Sequence, residues 1–165
     1  NRRRLIASQP VADSEGSCPL HNVVRVANFG SVTLSSSFLA SCPLALSSAL
    51  YVEQQAKPLT RQLMASDLRQ IDHLGSFACR NIYHRQQARR SEHATADALD
   101  VSGFRLADGR RVSVLQGWRS ETSHPWLAAL LNNSCHYFGN ALGPEYNAAH
   151  ANHFHLGMRG QGFCF

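Results

Sequence analysis

An aspartate inside a short apolar run constrains this fold more than any other residue of the chain. Asp100 lies between Leu99 and Val101, in a run that predicts a buried strand. An unpaired carboxylate at a buried position costs several kcal/mol of desolvation free energy. We therefore expect a cation or a cationic side chain beside Asp100. His93 precedes the aspartate by seven residues, and a metal ion shared by the two side chains is one such arrangement.

A second group of ligand-type residues lies in "HANHFHL", positions 150–156. Alternate side chains of a strand share a face, so His153 and His155 are expected on one side and Phe154 on the other. His150 lies just upstream, in a predicted loop. The segment thus predicts two imidazoles over one pocket, with an aromatic ring in the core and a third imidazole close by.

The spacing of these residues leaves two interpretations open. In one, His93, Asp100 and His155 supply three N/O ligands to a zinc ion, whose fourth coordination position is left to water. Such a metal lowers the pKa of the bound water to about 7 and makes it a nucleophile. In the other interpretation, Asp100 pairs with an arginine such as Arg80, and His153 and His155 are surface residues of an edge strand.

Composition excludes several classes of protein. The chain has 165 residues, 44% of them hydrophobic and 16% charged, which is typical of one globular domain with its own core. No apolar run approaches the roughly 18 residues that span a bilayer, so we expect no transmembrane segment. The net charge of +5 favours an anionic partner. The basic residues are not interleaved with aromatic ones, however, and we do not expect nucleic-acid binding.

The cysteines indicate an exported protein. Five cysteines are widely spaced without a CxxC pair, as in proteins stabilised by disulfides. We predict a bridge between Cys135 and Cys164, which would anchor the histidine-bearing end of the chain, and secondly one between Cys18 and Cys42. The odd number leaves at least one thiol unpaired within a monomer. Because "NRRRLIASQP" lacks the apolar core of a signal peptide, we expect any export signal outside this sequence. The predicted location is periplasmic or extracellular.

Hydrophobic patterns and turn residues predict an α+β fold. Residues 1–17 are polar and expected to be loosely ordered, whereas 18–165 form a single domain. The predicted strands are 23–34 with a bend at Gly30, 71–80, a hairpin over 96–115 that turns at Gly109, and a short strand over 153–158. The predicted helices run from Ser41 to just before Pro58, from Thr60 to about Gln70, and over 123–139.

Several motifs resemble those of known families. "SEHATADALD" resembles the SxHxxGxAxD motif of the zinc peptidases that include D-Ala-D-Ala carboxypeptidases, murein endopeptidases and the hedgehog signalling domain. "HANHFH" resembles the HxxHxH end of the penicillin-insensitive murein endopeptidases. More closely, "SFACR", "SEHA", "ADGRRVSVLQGW", "LGPEYNAAH" and "HFHL" resemble, in this order, the bacterial extensin-like C-terminal domain family. The resemblance implies a hedgehog/D-Ala-D-Ala-peptidase-like fold, with a small antiparallel sheet flanked by helices.

The resemblance also implies a role for each matching histidine and for the aspartate. His93, Asp100 and His155 match the zinc ligands. His153, the first histidine of HxH, matches the residue that assists catalysis beside the metal. His150 matches the further histidine of the murein endopeptidases.

Two further positions match substrate-binding residues, and two depart from the pattern. Arg80 matches an arginine that faces the substrate carbonyl or carboxylate in related carboxypeptidases, and Ser91 matches the motif serine near the substrate. Ala96 stands where the motif usually has glycine. Asn152 stands where carboxypeptidase relatives have an acidic general base. Since an amide cannot take up a proton, either a histidine acts as the general base or catalysis is weak.

Two acidic residues are further candidates for the general base. Glu92 adjoins His93, but neighbouring side chains diverge on an extended chain, so we do not expect its carboxylate at the site. Glu145 lies in a predicted loop, where a surface role is expected.

The resemblance therefore implies a zinc metallopeptidase. Its expected substrate is peptidoglycan, cut at amide bonds of stem peptides or cross-links by endopeptidase or carboxypeptidase action. The domain would act as a cell-wall remodelling enzyme or as a secreted antibacterial effector. The alternative is a catalytically weak, zinc-bearing module that binds peptidoglycan or a protein partner. The sequence gives no indication of the oligomeric state.

Overall fold

The computed structural model describes residues 5–79 and 89–165, which contain both strands and helices. The strands in these residues are β1 (Ala7–Pro10), β2 (Val23–Phe29), β3 (Val32–Ser41), β4 (Leu68–His73), β5 (Ala98–Leu106), β6 (Arg111–Ser113), β7 (Asn140–Leu142), β8 (Phe154–Gly157) and β9 (Phe163–Cys164). The helices are α1 (Cys42–Tyr51), α2 (Lys57–Met64), α3 (Val114–Gly117) and α4 (His124–Ser134), with a π-helical segment (Val52–Ala56) and two 3₁₀ helices (Glu92–Thr95 and Ala148–His150). None of the described helices has the length and apolar character needed to cross a membrane.

Within the described residues, the nine strands form one mixed sheet. Their order is β1-β2-β3-β4-β5-β8-β7-β9, and β6 pairs with β5 beyond the part that pairs with β8. The pairs β3–β4 and β7–β9 are parallel. A parallel pair needs a crossover of about a dozen residues or more, which α1 and α2 provide between β3 and β4. The α+β class is confirmed, but the prediction of a small antiparallel sheet is wrong in both size and strand direction.

The segment 23–34 forms a hairpin and not the single bent strand that its alternation predicts. Gly30, at a φ of 69°, and Ser31 form a two-residue turn between β2 and β3. Glycine adopts this left-handed conformation without a Cβ clash, so the chain reverses where the bend is predicted. Strand β3 then continues to Ser41, well beyond the predicted end.

The helical segment that starts at Cys42 passes through Pro58. Ser41 caps its first turn, as predicted, by accepting a backbone N–H hydrogen bond. The predicted end before Pro58 is wrong, since the helix continues to Met64. Proline lacks an N–H and crowds the carbonyl four residues earlier. The π-helical segment Val52–Ala56 ends two residues before the proline and loosens the hydrogen-bond pattern of the turn that precedes it.

The predicted helix from Thr60 to Gln70 is wrong at both ends. Thr60 does not cap a new helix but is buried inside α2, where its hydroxyl accepts the indole N–H of Trp126 at 3.1 Å. Strand β4 begins at Leu68, inside the predicted helix, so the strand predicted over 71–80 lies earlier in the chain. The contact between Thr60 and Trp126 joins α2 to α4 and is a tertiary reason for the longer helix.

The predictions for the later elements are closer. Strands β5 and β6 form the hairpin predicted within 96–115, and Gly109 has a φ of 95° at its turn. Helix α4 is confirmed, although it ends at Ser134 and not at 139. Its buried apolar side chains are Trp126, Leu127, Leu130 and Leu131.

Two disulfides join distant parts of the described chain. The predicted bridge between Cys135 and Cys164 is confirmed. The predicted bridge between Cys18 and Cys42 is wrong, because Cys18 bonds to Cys79, at a Cα–Cα distance of 5.6 Å. Cys42 begins α1 with an exposed free thiol. Sequence spacing does not contain the information on which of these segments are neighbours in the fold.

Part of the N-terminal segment 1–17 has regular structure. Residues Ala7–Pro10 form β1, which pairs with β2 at one edge of the sheet. The expectation of loose order therefore does not hold for these residues.

Candidate metal centre

The register between β5 and β8 brings two predicted ligands together. Asp100 lies directly opposite His155 in this antiparallel pair, so both side chains are on the same face of the sheet. Oδ1 of Asp100 is 3.1 Å from Nδ1 of His155. Because the two residues are 55 positions apart, only the strand pairing makes them neighbours.

His93 reaches the same carboxylate from the 3₁₀ helix that precedes β5. Ser91 begins this helix, and its hydroxyl accepts the backbone N–H of His93 at 3.2 Å. Ala96 ends it at a φ of 56°, a left-handed conformation that favours glycine. This explains the glycine of the motif, and alanine here preserves the turn. Nε2 of His93 then lies 3.1 Å from Oδ2 of Asp100.

A backbone carbonyl decides which nitrogen of His93 faces the aspartate. Nδ1 donates its proton to the carbonyl oxygen of Ser76 at 2.8 Å. In the neutral ring, Nε2 therefore has a lone pair, and no hydrogen bond from the described residues reaches this buried atom. The lone pair faces a carboxylate oxygen of Asp100, and two acceptors in contact need a shared cation.

The donor set fits zinc. One ligand atom from each of His93, Asp100 and His155 lies within 4.8 Å of the other two. Two imidazole nitrogens and one carboxylate oxygen are typical ligands of zinc, whereas calcium and magnesium take oxygen ligands. These three residues thus form a candidate zinc site within the described part of the chain.

Hydrogen bonds shift the pKa values of the ionisable groups at the candidate site. Burial alone would raise the pKa of Asp100, but the hydrogen bond with His155, together with the adjoining His93 ring, outweighs burial and holds the pKa well below its usual range. Burial likewise opposes the shift of Glu92, whose hydrogen bonds with His155 and the Arg159 backbone lower its pKa. Burial alone would lower the pKa of His155, but hydrogen bonds with Asp100 and Glu92 raise it to about 9. Asp100 and Glu92 thus share the His155 ring, and their two carboxylates favour a bound cation.

A cavity of about 630 Å³ opens beside the candidate site, a volume within the usual range of ligand pockets. Arg80 lies outside the described residues. The other residues predicted for the site line the cavity, namely Ser91, His93, Asp100, His150, His153 and His155. The wall also includes residues that the sequence does not indicate, among them Arg89, Glu92, Asn140, Leu142, Arg159 and Phe163.

The whole chain matches one protein family. The family model described as "Extensin-like protein C-terminus" covers residues 1–165. The chain belongs to this family. No curated protein and no solved structure matches it. The resemblance of the motifs to the extensin-like family is thereby confirmed.

In this extensin-like domain, Asn152 orients His153. His153 precedes β8 and lines the cavity with His155, while Phe154 is buried in the core, as the alternation predicts. Oδ1 of Asn152 accepts a hydrogen bond from Nδ1 of His153 at 2.8 Å. Nε2 of His153 lies on the side of Asp100, at 3.8 Å from Oδ1. The amide that replaces the expected acid therefore directs an imidazole nitrogen toward the site.

His150 is buried at the end of a 3₁₀ helix, and its Nδ1 donates to Oδ1 of Asn147 at 2.6 Å. Its ring centroid lies 5.1 Å from that of His153 and 6.0 Å from that of His155. Burial, followed by the charges of these two histidines, lowers the pKa of His150 to about 4. The ring is therefore neutral at physiological pH, where it is suited to hydrogen bonding and is a weak base.

Sequence reasoning misplaces Glu92. Neighbouring side chains diverge on an extended chain, but Glu92 lies in a 3₁₀ helix, and its carboxylate is 2.8 Å from Nε2 of His155. The available signal is its position between Ser91 and His93, in a segment that the motif assigns to the site. Glu145, the other candidate base, is exposed, as expected.

Proposed function

We propose that this extensin-like domain is a zinc-dependent hydrolase of amide bonds in the stem peptides or cross-links of peptidoglycan. One observation supports the proposal most strongly: Nδ1 of His93 donates to a backbone carbonyl and Nε2 faces the carboxylate of Asp100, with His155 on the same carboxylate, at the wall of an open cavity. Three protein ligands beside an open cavity are typical of catalytic zinc sites, whereas structural sites are closed by four. Zinc bound there would supply an activated water and polarise the substrate carbonyl.

The histidines of the chain would move the proton. In amide hydrolysis, a base takes a proton from water and an acid returns it to the leaving nitrogen. His153 suits both steps, because Asn152 engages Nδ1 and leaves Nε2 on the side of the ligands. His150, neutral and held by Asn147, would orient water or substrate.

The substrate class rests on the motif resemblance and on charge. The sequence motifs resemble those of murein-cleaving zinc peptidases, and we propose that the domain shares their hedgehog/D-Ala-D-Ala-peptidase-like fold. The net charge of +5 suits an anionic wall polymer. Arg89 and Arg159 line the cavity and suit the carboxylates of a stem peptide, and Arg80 stays a predicted substrate-binding residue. Two disulfides support a periplasmic or extracellular location, in wall remodelling or as an antibacterial effector.

One observation favours a second candidate, a zinc-bearing module that binds peptidoglycan or a protein partner. Among the described residues that line the cavity, the carboxylates are those of Asp100 and Glu92, and both have histidine partners. Asn152 supplies no base. A metal site that has lost its acid would keep the ion and the groove and serve in recognition.

Cleavage of purified muropeptides distinguishes the two candidates. We expect the zinc-loaded protein to release products that mass spectrometry identifies as amide cleavage, a chelator to stop the reaction and zinc to restore it. His136→Ala, which changes an exposed histidine outside the cavity, is the matched control and should cleave like wild type. Zinc-dependent binding without cleavage would establish the module. If the protein neither cleaves nor binds muropeptides, both the hydrolase and the peptidoglycan-binding module are contradicted.

A further inference from the structure

We infer that Glu92 is a positioning residue of the candidate site, which holds the ring of His155 with Nδ1 toward Asp100 and the metal ion. The inference rests on the proposed zinc site and adds to it a residue that neither the ligand motif nor the family match assigns. It has three supports: the contact with His155, the donors that hold the carboxylate, and the space that the sheet leaves for it.

The first support is that the two nitrogens of His155 contact different carboxylates. Nδ1 lies 3.1 Å from Oδ1 of Asp100, whereas Nε2 lies 2.8 Å from Oε2 of Glu92. A ring nitrogen that binds a metal has no proton, so the other nitrogen carries one and donates it, commonly to a carboxylate. With Nδ1 as the ligand atom, Nε2–H donates to Glu92. The carboxylate thereby fixes both the ring orientation and the ligating nitrogen.

The second support is that Glu92 is itself held in place. Its Oε1 accepts the backbone N–H of Arg159 at 2.6 Å. The side-chain amide of Asn140 donates to both carboxylate oxygens at 3.1 Å. These donors come from β7 and from the residues after β8, and the glutamate is 7% exposed. A carboxylate whose two oxygens are both engaged acts as a fixed acceptor and not as a mobile base.

The third support is the space beside the carboxylate. Gly157 lies in β8 two residues after His155, and a Cβ at this position would overlap the carboxyl group of Glu92. Only glycine lets the strand pass the glutamate at this distance. The C-terminal part of the sheet is thus shaped to receive this side chain.

Glu92→Gln tests the inference. The glutamine amide keeps one acceptor oxygen for His155 but turns a donor toward the N–H of Arg159 or the amide of Asn140, so the ring loses its fixed support. Competition with a chromophoric chelator should show zinc binding weaker by about 10- to 100-fold than in wild type, the usual effect of losing such a partner. Glu145→Gln makes the same chemical change at an exposed loop position and should leave the zinc affinity unchanged.

A second measurement needs no variant. In ¹H–¹⁵N spectra of the zinc-loaded wild-type protein, we expect a proton on Nε2 of His155 and none on Nδ1. A proton on Nδ1 with zinc on Nε2 would overturn the inference, even where Glu92→Gln fails to fold. Equal zinc affinity of wild type and Glu92→Gln would also overturn it while leaving the proposed zinc site intact. Wild-type protein that binds no zinc would refute the zinc site itself and the inference with it.

Discussion

Strand β5 takes part in two clusters of charge that differ in kind. Near one end, Arg105 pairs with Asp72 of β4, at 3.3 Å between Nε and Oδ2. Near the other end, Asp100 faces the rings of His93 and His155. A guanidinium is charged at every physiological pH, so Asp72 needs no further partner. Imidazoles change charge near neutral pH, so the balance at Asp100 depends on protons or on a metal ion. The charge of Asp72 is therefore balanced by a side chain at every pH, whereas the charge of Asp100 can also be balanced by a proton or a metal ion.

Exposure separates the two clusters as well. The Arg105 side chain is 39% exposed, so solvent screens its pair with Asp72, whereas the His93 side chain is 4% exposed. The interpretation in which Asp100 pairs with an arginine has no support in the described residues, where the ionic partners of Asp100 are imidazoles. Arg80, the arginine named for that pairing, lies outside them.

The largest expected effect is loss of the metal from the Asp100 cluster. Metal analysis of the purified protein should find about one zinc ion per chain, and His93→Ala, Asp100→Ala and His155→Ala should each abolish it, because three ligands are the minimum of a catalytic site. Asp72→Asn, at the other cluster, should keep its zinc. Full zinc content in any of the three alanine variants would remove that residue from the ligand set.

The next largest effect should separate catalysis from metal binding. If His153 transfers the proton, His153→Ala should lower turnover of muropeptides by a factor on the order of 10²–10⁴, the usual contribution of acid–base catalysis, while its zinc content is unchanged. His150→Ala should have a smaller effect, because the lowered pKa of His150 makes it a weak base. Zinc-loaded His153→Ala that cleaves at the wild-type rate would refute the assignment, and a larger loss in His150→Ala would reverse the two roles.

The pH dependence of stability tests the proton at His155. In the metal-free protein the pKa of His155 is raised from 6.5 to about 9, so its stabilising contribution is complete below about pH 6.5 and is lost as the pH rises through 9. The lowered pKa values of Asp100 and Glu92 have the opposite effect on stability. Their stabilising contributions are present above the pKa values of the unfolded chain, near pH 4, and are lost as the pH falls below them. With a chelator present, the melting temperature should therefore fall between pH 6.5 and 9.

Zinc should reverse this trend, because the ion replaces the Nδ1 proton and binds more tightly as the pH rises. The difference in melting temperature between zinc-loaded and metal-free protein should grow from pH 6.5 to 9. His136→Ala should keep both trends, and His155→Ala should lose both. A metal-free melting temperature that is equally flat in wild type and His155→Ala would show that the two carboxylates do not hold a proton on this ring.

The smallest effect is expected at the Arg105 cluster. Asp72→Asn removes a partly exposed ion pair and should lower the free energy of unfolding by about 0.2–1 kcal/mol, as measured by urea denaturation. Added salt should reduce the difference between wild type and variant, since screening weakens the pair. A loss of several kcal/mol, or a change in zinc affinity, would mean that the two clusters on β5 are coupled.

Much of the local structure near the site follows from the sequence. Alternation along "HFHL" correctly predicts Phe154 in the core and His153 and His155 at one cavity, because the period of a strand is a property of the backbone. Gly109 marks its turn for the same local reason. The helix through Pro58 and the hairpin at Gly30 are mispredicted, because tertiary contacts and turn geometry outweigh the local signals.

By itself, the sequence determined which residues bring ligand chemistry and on which face of their own element they lie. Only the tertiary structure decided which other residues lie next to them. The register of β5 against β8 sets Asp100 opposite His155, and the 3₁₀ helix turns Glu92 onto the same ring. Likewise, the path of the chain joins Cys18 to Cys79. Periodicity and turn preferences are encoded within a few residues, whereas strand register and the packing of distant segments depend on the free energy of the whole fold.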